Sequence, residues 1–364
     1  MEIERIRLFP YSIRRESPFR IATMVSQSVD GVFVSVESGG LTGWGEAMPF
    51  HAINGETQGT CLEALKFLAP HITGRKLGGP GTEANRLKSL LPTQTTALCA
   101  LDMAMHDLAA QALGIPLWQL LGGEPRRLPT DLTIGIVDPD TARSKAEAIA
   151  SAGFRAVKVK LGDGLESDIG RVAAVREGAP ESAIRVDANQ AYDRETALEL
   201  LSEIAELGIE FCEQPVRRGD WAGLKWLHDH APVPVMADES CFSAEDAFSL
   251  LRDGCCNLVN VKLCKTAGIA GALEVASVVR NGFGRCMVGG MAETRLGVTA
   301  SAHVGCSDPA FTFFDLDAHV GHAEDPIDGG IRIEEGEVVL PNGAGLGARP
   351  KDGFLSTLNP TEAR

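Results

Sequence analysis

No Cys-x-x-Cys pair occurs in the 364 residues, although nine cysteines do. Ligand spacing for a thiolate zinc site is therefore missing, and an odd count argues against a disulfide framework. Several thiols sit in apolar runs (Leu98-Cys99-Ala100, Phe211-Cys212), as expected of reduced, buried cysteines in a cytoplasmic protein. No run approaches the 18 apolar residues of a membrane span. The start, Met1-Glu2-Ile3-Glu4-Arg5-Ile6-Arg7, alternates like a strand and has no apolar signal core. Basic residues are in deficit, 34 Lys and Arg against 49 Asp and Glu, a formal net charge of −15. With no basic face or arm, a nucleic-acid partner is excluded. Low-complexity linkers are missing too. What remains is the ordinary mixture of a soluble enzyme, 44% hydrophobic and 23% charged, in a chain too long for one compact core.

Val157-Lys158-Val159-Lys160-Leu161 places two lysines at i and i+2. In a strand both ammonium groups point to one side, with the aliphatic residues on the other. Alone, this would equally suit a solvated edge strand. The spacing downstream decides otherwise. Lys160, Asp187, Glu213, Asp238 and Lys262 each end an apolar run, at intervals of 27, 26, 25 and 24 residues. Eight such runs, from Thr130–Ile136 to Phe311–Asp315, alternate with helical segments. That period predicts an α/β fold, a parallel (β/α)-type barrel whose strand-end charges converge on one mouth. Before it, strand-like runs to about residue 50 and a helical stretch from Thr57 to Leu121 predict an α+β unit. The expected division is residues 1–123, a barrel over 124–319, and a segment 320–364 folding back on the first unit.

Adjacent strands lie about 5 Å apart, so Asp187, Glu213 and Asp238 should meet within a few ångströms. Such a cluster repels itself without a cation. Oxygen-only ligands favour a hard ion, magnesium first and manganese or calcium after it. Lys160 and Lys262 flank the acids and should view a central molecule from opposite sides. A carboxylate substrate held at the ion could lose its α-proton to one lysine and regain one from the other, through an enediolate. Like-charge proximity should lower the pKa of at least one of the paired lysines. Lys158 suits the cationic partner of the same substrate carboxylate, and Lys265 reads as a loop or capping residue.

Lys158-x-Lys160, Asp187-x-Asn189, Glu213-Gln214-Pro215, Asp238-Glu239-Ser240 and Lys262 resemble the enolase superfamily, in its muconate-lactonizing-enzyme-like branch. Gly43-Trp44-Gly45-Glu46, Asp102 to Asp107 and Gly345-Leu346-Gly347 are similar to that family as well. The resemblance covers essentially the whole chain. It implies a capping α+β domain on a (β/α)7β barrel, one Mg²⁺ per subunit and lysine acid/base catalysts, with Asn189 and Glu239 supporting the acids. Asp315-Leu316-Asp317 on the eighth strand suits a substrate ammonium group and resembles the mark of the dipeptide epimerases, in which it holds the free N-terminus. Thr133 and Met291, in Gly290-Met291-Ala292-Glu293-Thr294, resemble substrate-lining positions. In the capping loops Met24, Phe50 and Ile53 disfavour an acidic second side chain, which points to L,L-dipeptides with neutral or hydrophobic side chains; Arg20 is the nearby basic residue. His51 reads as a loop histidine. Cycloisomerisation, o-succinylbenzoate synthesis and N-acylamino acid racemisation are rivals on the same site, and a non-catalytic metal-dependent binder is the rival of another class. A homo-oligomer without membrane association is expected.

Overall fold

A computed structural model describes residues 2–363. Strands Arg5–Ile21, Met24–Ser38 and Leu41–Ala47 form an antiparallel sheet, with the late strand Thr361–Ala363 on its outer edge. Gly39 and Gly40, both at positive φ, make the two-residue turn between the second and third strands. Helix Thr95–Leu113 lies across this sheet, and its alanines let it come very close. A Cβ on Gly45 would stand 1.9 Å from the Ala100 carbonyl oxygen, and one on Gly43 2.1 Å from that of Ala104. Only glycine fits at either position.

The second layer is an eight-stranded parallel sheet in sequential order from Leu132–Ile134 to Phe311–Phe314, with seven helices as crossovers. This is the barrel that the strand-end period predicts. Helix starts follow from local side chains: Asp138, Asp193 and Ser243 accept hydrogen bonds from the backbone N–H groups of Thr141, Thr196 and Asp246. Val157, Val159 and Leu161 are fully buried on the helix side. Inside the barrel, Phe211, Met236, Leu258, Met287 and Phe313 fill the space below the mouth. The Arg185 guanidinium sits 5.5 and 5.4 Å from the Phe211 and Phe313 rings. At the seam between the first and last strands, the Asp131 N–H donates to the Phe314 carbonyl, and the Thr133 N–H to Asp317 Oδ2 at 2.7 Å.

Three motifs outside the barrel mouth meet at the joint between the two layers. Asp107 accepts from the backbone N–H groups of Trp44 (2.8 Å) and Leu346 (2.7 Å). Asp102 accepts from Ile269 and Ala270 at the start of a barrel helix. Glu46 accepts from the N–H groups of Thr294 and Gly297, the Thr294 hydroxyl and the Tyr11 hydroxyl. Buried carboxylates spent on helix N-termini (Asp102 and Glu46) and on strand and loop N–H groups (Asp107) fix the orientation of the sheet over the barrel.

Candidate active site

Parallel pairing aligns the strand ends. Lys160 is the register partner of Asp187, and Asp187 of Glu213; Asp238 lies two residues beyond Met236, the partner of Glu213. Each acid has one oxygen fixed from behind. Asp187 Oδ1 accepts the Asn189 N–H at 2.9 Å, Glu213 Oε1 accepts from Asn260 at 2.7 Å, and Asp238 Oδ1 accepts from Lys265. The other oxygens face the mouth, where the lysines reach them. Lys160 Nζ is 2.6 Å from Asp187 Oδ2, Lys158 Nζ 2.7 Å from Glu213 Oε2, and Lys262 Nζ 2.8 Å from Asp238 Oδ2. Glu213 Oε2 and Asp238 Oδ2 are buried and, among the described residues, accept no hydrogen bond beside these ion pairs. Oxygen donors, each with one end pinned and the other directed inward, fit a hard divalent cation.

The acids do not crowd as closely as their strand spacing predicts. Among the described residues, the trio whose oxygens lie within 4.8 Å of one another is Asp131, Asp315 and Asp317. Two of these carry a cationic partner: Asp131 pairs with Arg185 at 2.9 Å, and Asp315 with Lys158 at 2.7 Å. Asp317 has the Thr133 N–H instead. Burial, with Asp315 adding repulsion, pushes the Asp317 carboxyl up to about 7. A singly charged donor group would satisfy what is left, so this trio suits an ammonium better than a metal ion.

At Lys158 the electrostatics run against a lowered pKa. Burial alone would depress Lys158, but Asp315, Glu213 and Asp187 outweigh it and raise its pKa well above the usual value. Burial and Asp238 oppose each other at Lys262 in the same way, and the acid wins. Counting lysines in the sequence omits the carboxylates that the fold places between them. A divalent ion on the three acids would offset that charge and release the lysines.

Lys158, Lys160, Lys262, Asn189, Thr133, Met291, Asp315 and Asp317 line one cavity of about 390 Å³, roofed by Phe19, Ile21, Phe50 and Ile53 of the sheet layer. Glu239 lies behind it, accepting from Asn189 at 3.3 Å, its carboxyl pushed up to about 8 by burial and by Asp238. Met24 is elsewhere, in a neighbouring cleft with Gln27 and His51. It follows the hairpin tip, whereas the cavity is lined from the preceding strand. Arg20 points away as well and pairs with Asp163 at 2.6 Å. Lys265 is no peripheral loop residue: its turn curls back and buries Nζ against Asp238 and the Asn260 carbonyl. The sequence reading missed Asn260, Asp131 and Arg15, and gave no role to Gln214. The Gln214 side chain accepts from the Asp238 and Ser240 N–H groups and so holds the third acid's turn. Only the last had a signal, its place beside Glu213.

Comparison with known proteins places these features. The mandelate racemase/muconate lactonizing enzyme N-terminal domain matches residues 4–122, and the enolase C-terminal domain-like family matches residues 140–353. A hydrophobic dipeptide epimerase of Enterococcus faecalis is 36% identical over 95% of this chain and 99% of its own. An L-Lys-D/L-Arg epimerase of Methylococcus capsulatus is 36% identical over 91% and 94%. The crystal structure of a Cytophaga hutchinsonii dipeptide epimerase complexed with Mg and D-Ala-L-Val superposes with a TM-score of 0.97, at 32% identity and full coverage of both chains.

Proposed function

The chain belongs to the mandelate racemase/muconate lactonizing enzyme family of the enolase superfamily, and from that premise we propose that Lys160 and Lys262 invert the C-terminal residue of an L,L-dipeptide. The protein is an isomerase, a magnesium-dependent dipeptide epimerase. The observation that carries this reading is that both lysines share a cavity with Asp317, a half-buried carboxylate without a cationic partner within ion-pair distance among the described residues.

Asp187, Glu213 and Asp238 would hold the Mg²⁺. Held by these three acids, it would supply the positive charge that offsets the substrate carboxylate and the charge delocalised into it on loss of the α-proton. Asp315 and Asp317 accept from the free α-ammonium and set the dipeptide's direction in the cavity. One lysine, neutral, takes the α-proton onto Nζ; the other, protonated, delivers its Nζ proton to the opposite face of the same carbon. The two amines leave the turnover with exchanged protonation states, which is the form the reverse epimerisation needs; exchange with solvent restores the form for another forward turnover. Lys158 supplies a fixed positive charge beside the substrate carboxylate. Phe50 and Ile53 roof the cavity and favour a neutral or hydrophobic side chain on the inverted residue. An N-acylated substrate would leave Asp317 without its ligand, which disfavours the racemase reading.

A library of L,L-dipeptides incubated with enzyme and Mg²⁺ in heavy water tests this. Deuterium should enter the C-terminal α-position as the L,D epimer accumulates. A library showing no exchange at all would remove the assignment. Chelation should abolish the same exchange and added Mg²⁺ restore it; exchange that survives exhaustive chelation would exclude the metal's part.

A further inference from the structure

Among the described residues, Arg15 is the one cation of the cavity wall that belongs neither to the lysine set nor to the barrel helices. Its half-buried side chain comes down from the first strand into the same cavity as Asp317, Val320 and Gly321. Nε donates to Ser26 Oγ at 3.1 Å, and the guanidinium lies over the Phe19 ring at 5.2 Å. No carboxylate among the described residues comes within 4.0 Å of its nitrogens, although Asp317 is near enough to act on its charge. The backbone around it is fastened to the segment that follows Asp317. Arg15 bridges to His322, the Glu16 N–H donates to the Gly321 carbonyl at 2.9 Å, and the Ala323 N–H to the Arg14 carbonyl at 2.9 Å. Arg15 is thus a built part of the wall around the ammonium end of the cavity.

From this we infer that Arg15 is a specificity residue for the first amino acid of the dipeptide, rejecting substrates whose N-terminal side chain is cationic. The inference rests on the epimerase reading and concerns only the first residue. With Asp315 and Asp317 holding the α-ammonium, the first side chain must leave toward Arg15. A lysine or arginine there would bring a second like charge against a guanidinium that Ser26 and Phe19 hold in place, and like-charge juxtaposition at a binding site is strongly unfavourable. An uncharged side chain of the same length meets only the flat face and the aliphatic stem. Cationic dipeptides are a real alternative on this scaffold, since a relative carries the name L-Lys-D/L-Arg epimerase.

The test compares kcat/KM for L-Lys-L-Leu and L-Met-L-Leu, read as α-deuterium exchange with Mg²⁺ present. The native enzyme should favour the Met substrate by about tenfold or more. Arg15→Met should cut that preference at least about fivefold and Arg15→Glu invert it, while Arg15→Lys should retain it. Because the ratio is internal to each protein, a variant of reduced activity still reports it. If Arg15→Met yields no folded protein, Arg15→Glu and Arg15→Lys carry the comparison. A native ratio near one, or a ratio that Arg15→Met and Arg15→Glu leave unmoved, overturns the inference. Neither result touches the epimerase reading, which only the lack of exchange on every dipeptide would remove.

Discussion

Replacing Lys160 or Lys262 by alanine is expected to lower epimerisation by about 10³-fold or more, the upper range for loss of a positioned acid/base. The two losses should not be alike. The lysines enter from the second and sixth barrel strands, with the three acid-bearing strands between them. Each therefore addresses one face of the α-carbon. Lys160→Ala should stop α-proton exchange from one epimer and spare it from the other, and Lys262→Ala should do the reverse. Deuterium incorporation measured separately on the L,L and L,D dipeptides reads this directly. Exchange from both epimers in either variant would mean that a single base serves both faces, and the two-lysine scheme would fall. Misfolding is a weak alternative explanation for a face-selective result, because a disordered site loses both faces at once. The same argument gives Lys265→Ala a different outcome. Its ammonium is buried against Asp238 rather than the cavity, so both epimers should lose exchange together as the third acid's support fails.

Why these lysines could be found from sequence, and others not, has a physical reason. A barrel repeats strand, loop and helix, so residues one period apart arrive at the same height on neighbouring strands, and Lys160, Asp187 and Glu213 are register partners as that rule requires. Asp315 and Asp317 were legible in the same way, as strand-end acids two residues apart. Lys265 obeys no such rule. It lies three residues past Lys262, a spacing that usually means solvent, and reaches Asp238 because its turn, closed by Ala267 and Gly268 at positive φ, folds back under the strand ends. Asn260 is hidden for another reason: its strand interior position predicts packing, and only the fold shows Glu213 at 2.7 Å. Asp131 pairs across the barrel interior with Arg185, a contact 54 residues apart. Met24 lies beyond the hairpin tip, in another cleft, while Arg15 lines the cavity from an irregular stretch of the first strand, where the register shifts between Arg14 and Phe19, and no alternation pattern foretells that. The raised pKa of Lys158 was hidden for the same reason, since charge compensation depends on distances that no linear pattern carries.

Asp317→Asn should separate recognition of the free ammonium from the chemistry at the α-carbon. Asp315 is the poorer choice, since it holds Lys158 at 2.7 Å and its loss would disturb the acid cluster. Among the described residues Asp317 accepts the Thr133 N–H, a bond that an asparagine oxygen can keep. Removing one partner of a buried, hydrogen-bonded charge pair costs about 2–5 kcal/mol, so kcat/KM for a dipeptide should fall by about 30-fold to several thousandfold. The fall should appear first in KM, with exchange still detectable at saturating substrate. Its pH dependence adds a second readout. Burial and Asp315 push the Asp317 carboxyl up to about 7. Only the ionised form attracts an ammonium, so kcat/KM of the native enzyme should climb as pH rises through that value and drop below it. Asp317→Asn has no proton to lose there and should lack this limb, while any limb due to the lysines persists. An N-acetylated dipeptide provides the control: it should be a poor substrate for the native enzyme and should gain on the free dipeptide in the variant. Equal turnover of free and acetylated dipeptides by the native enzyme would show that the acidic end of the cavity does not read the N-terminus.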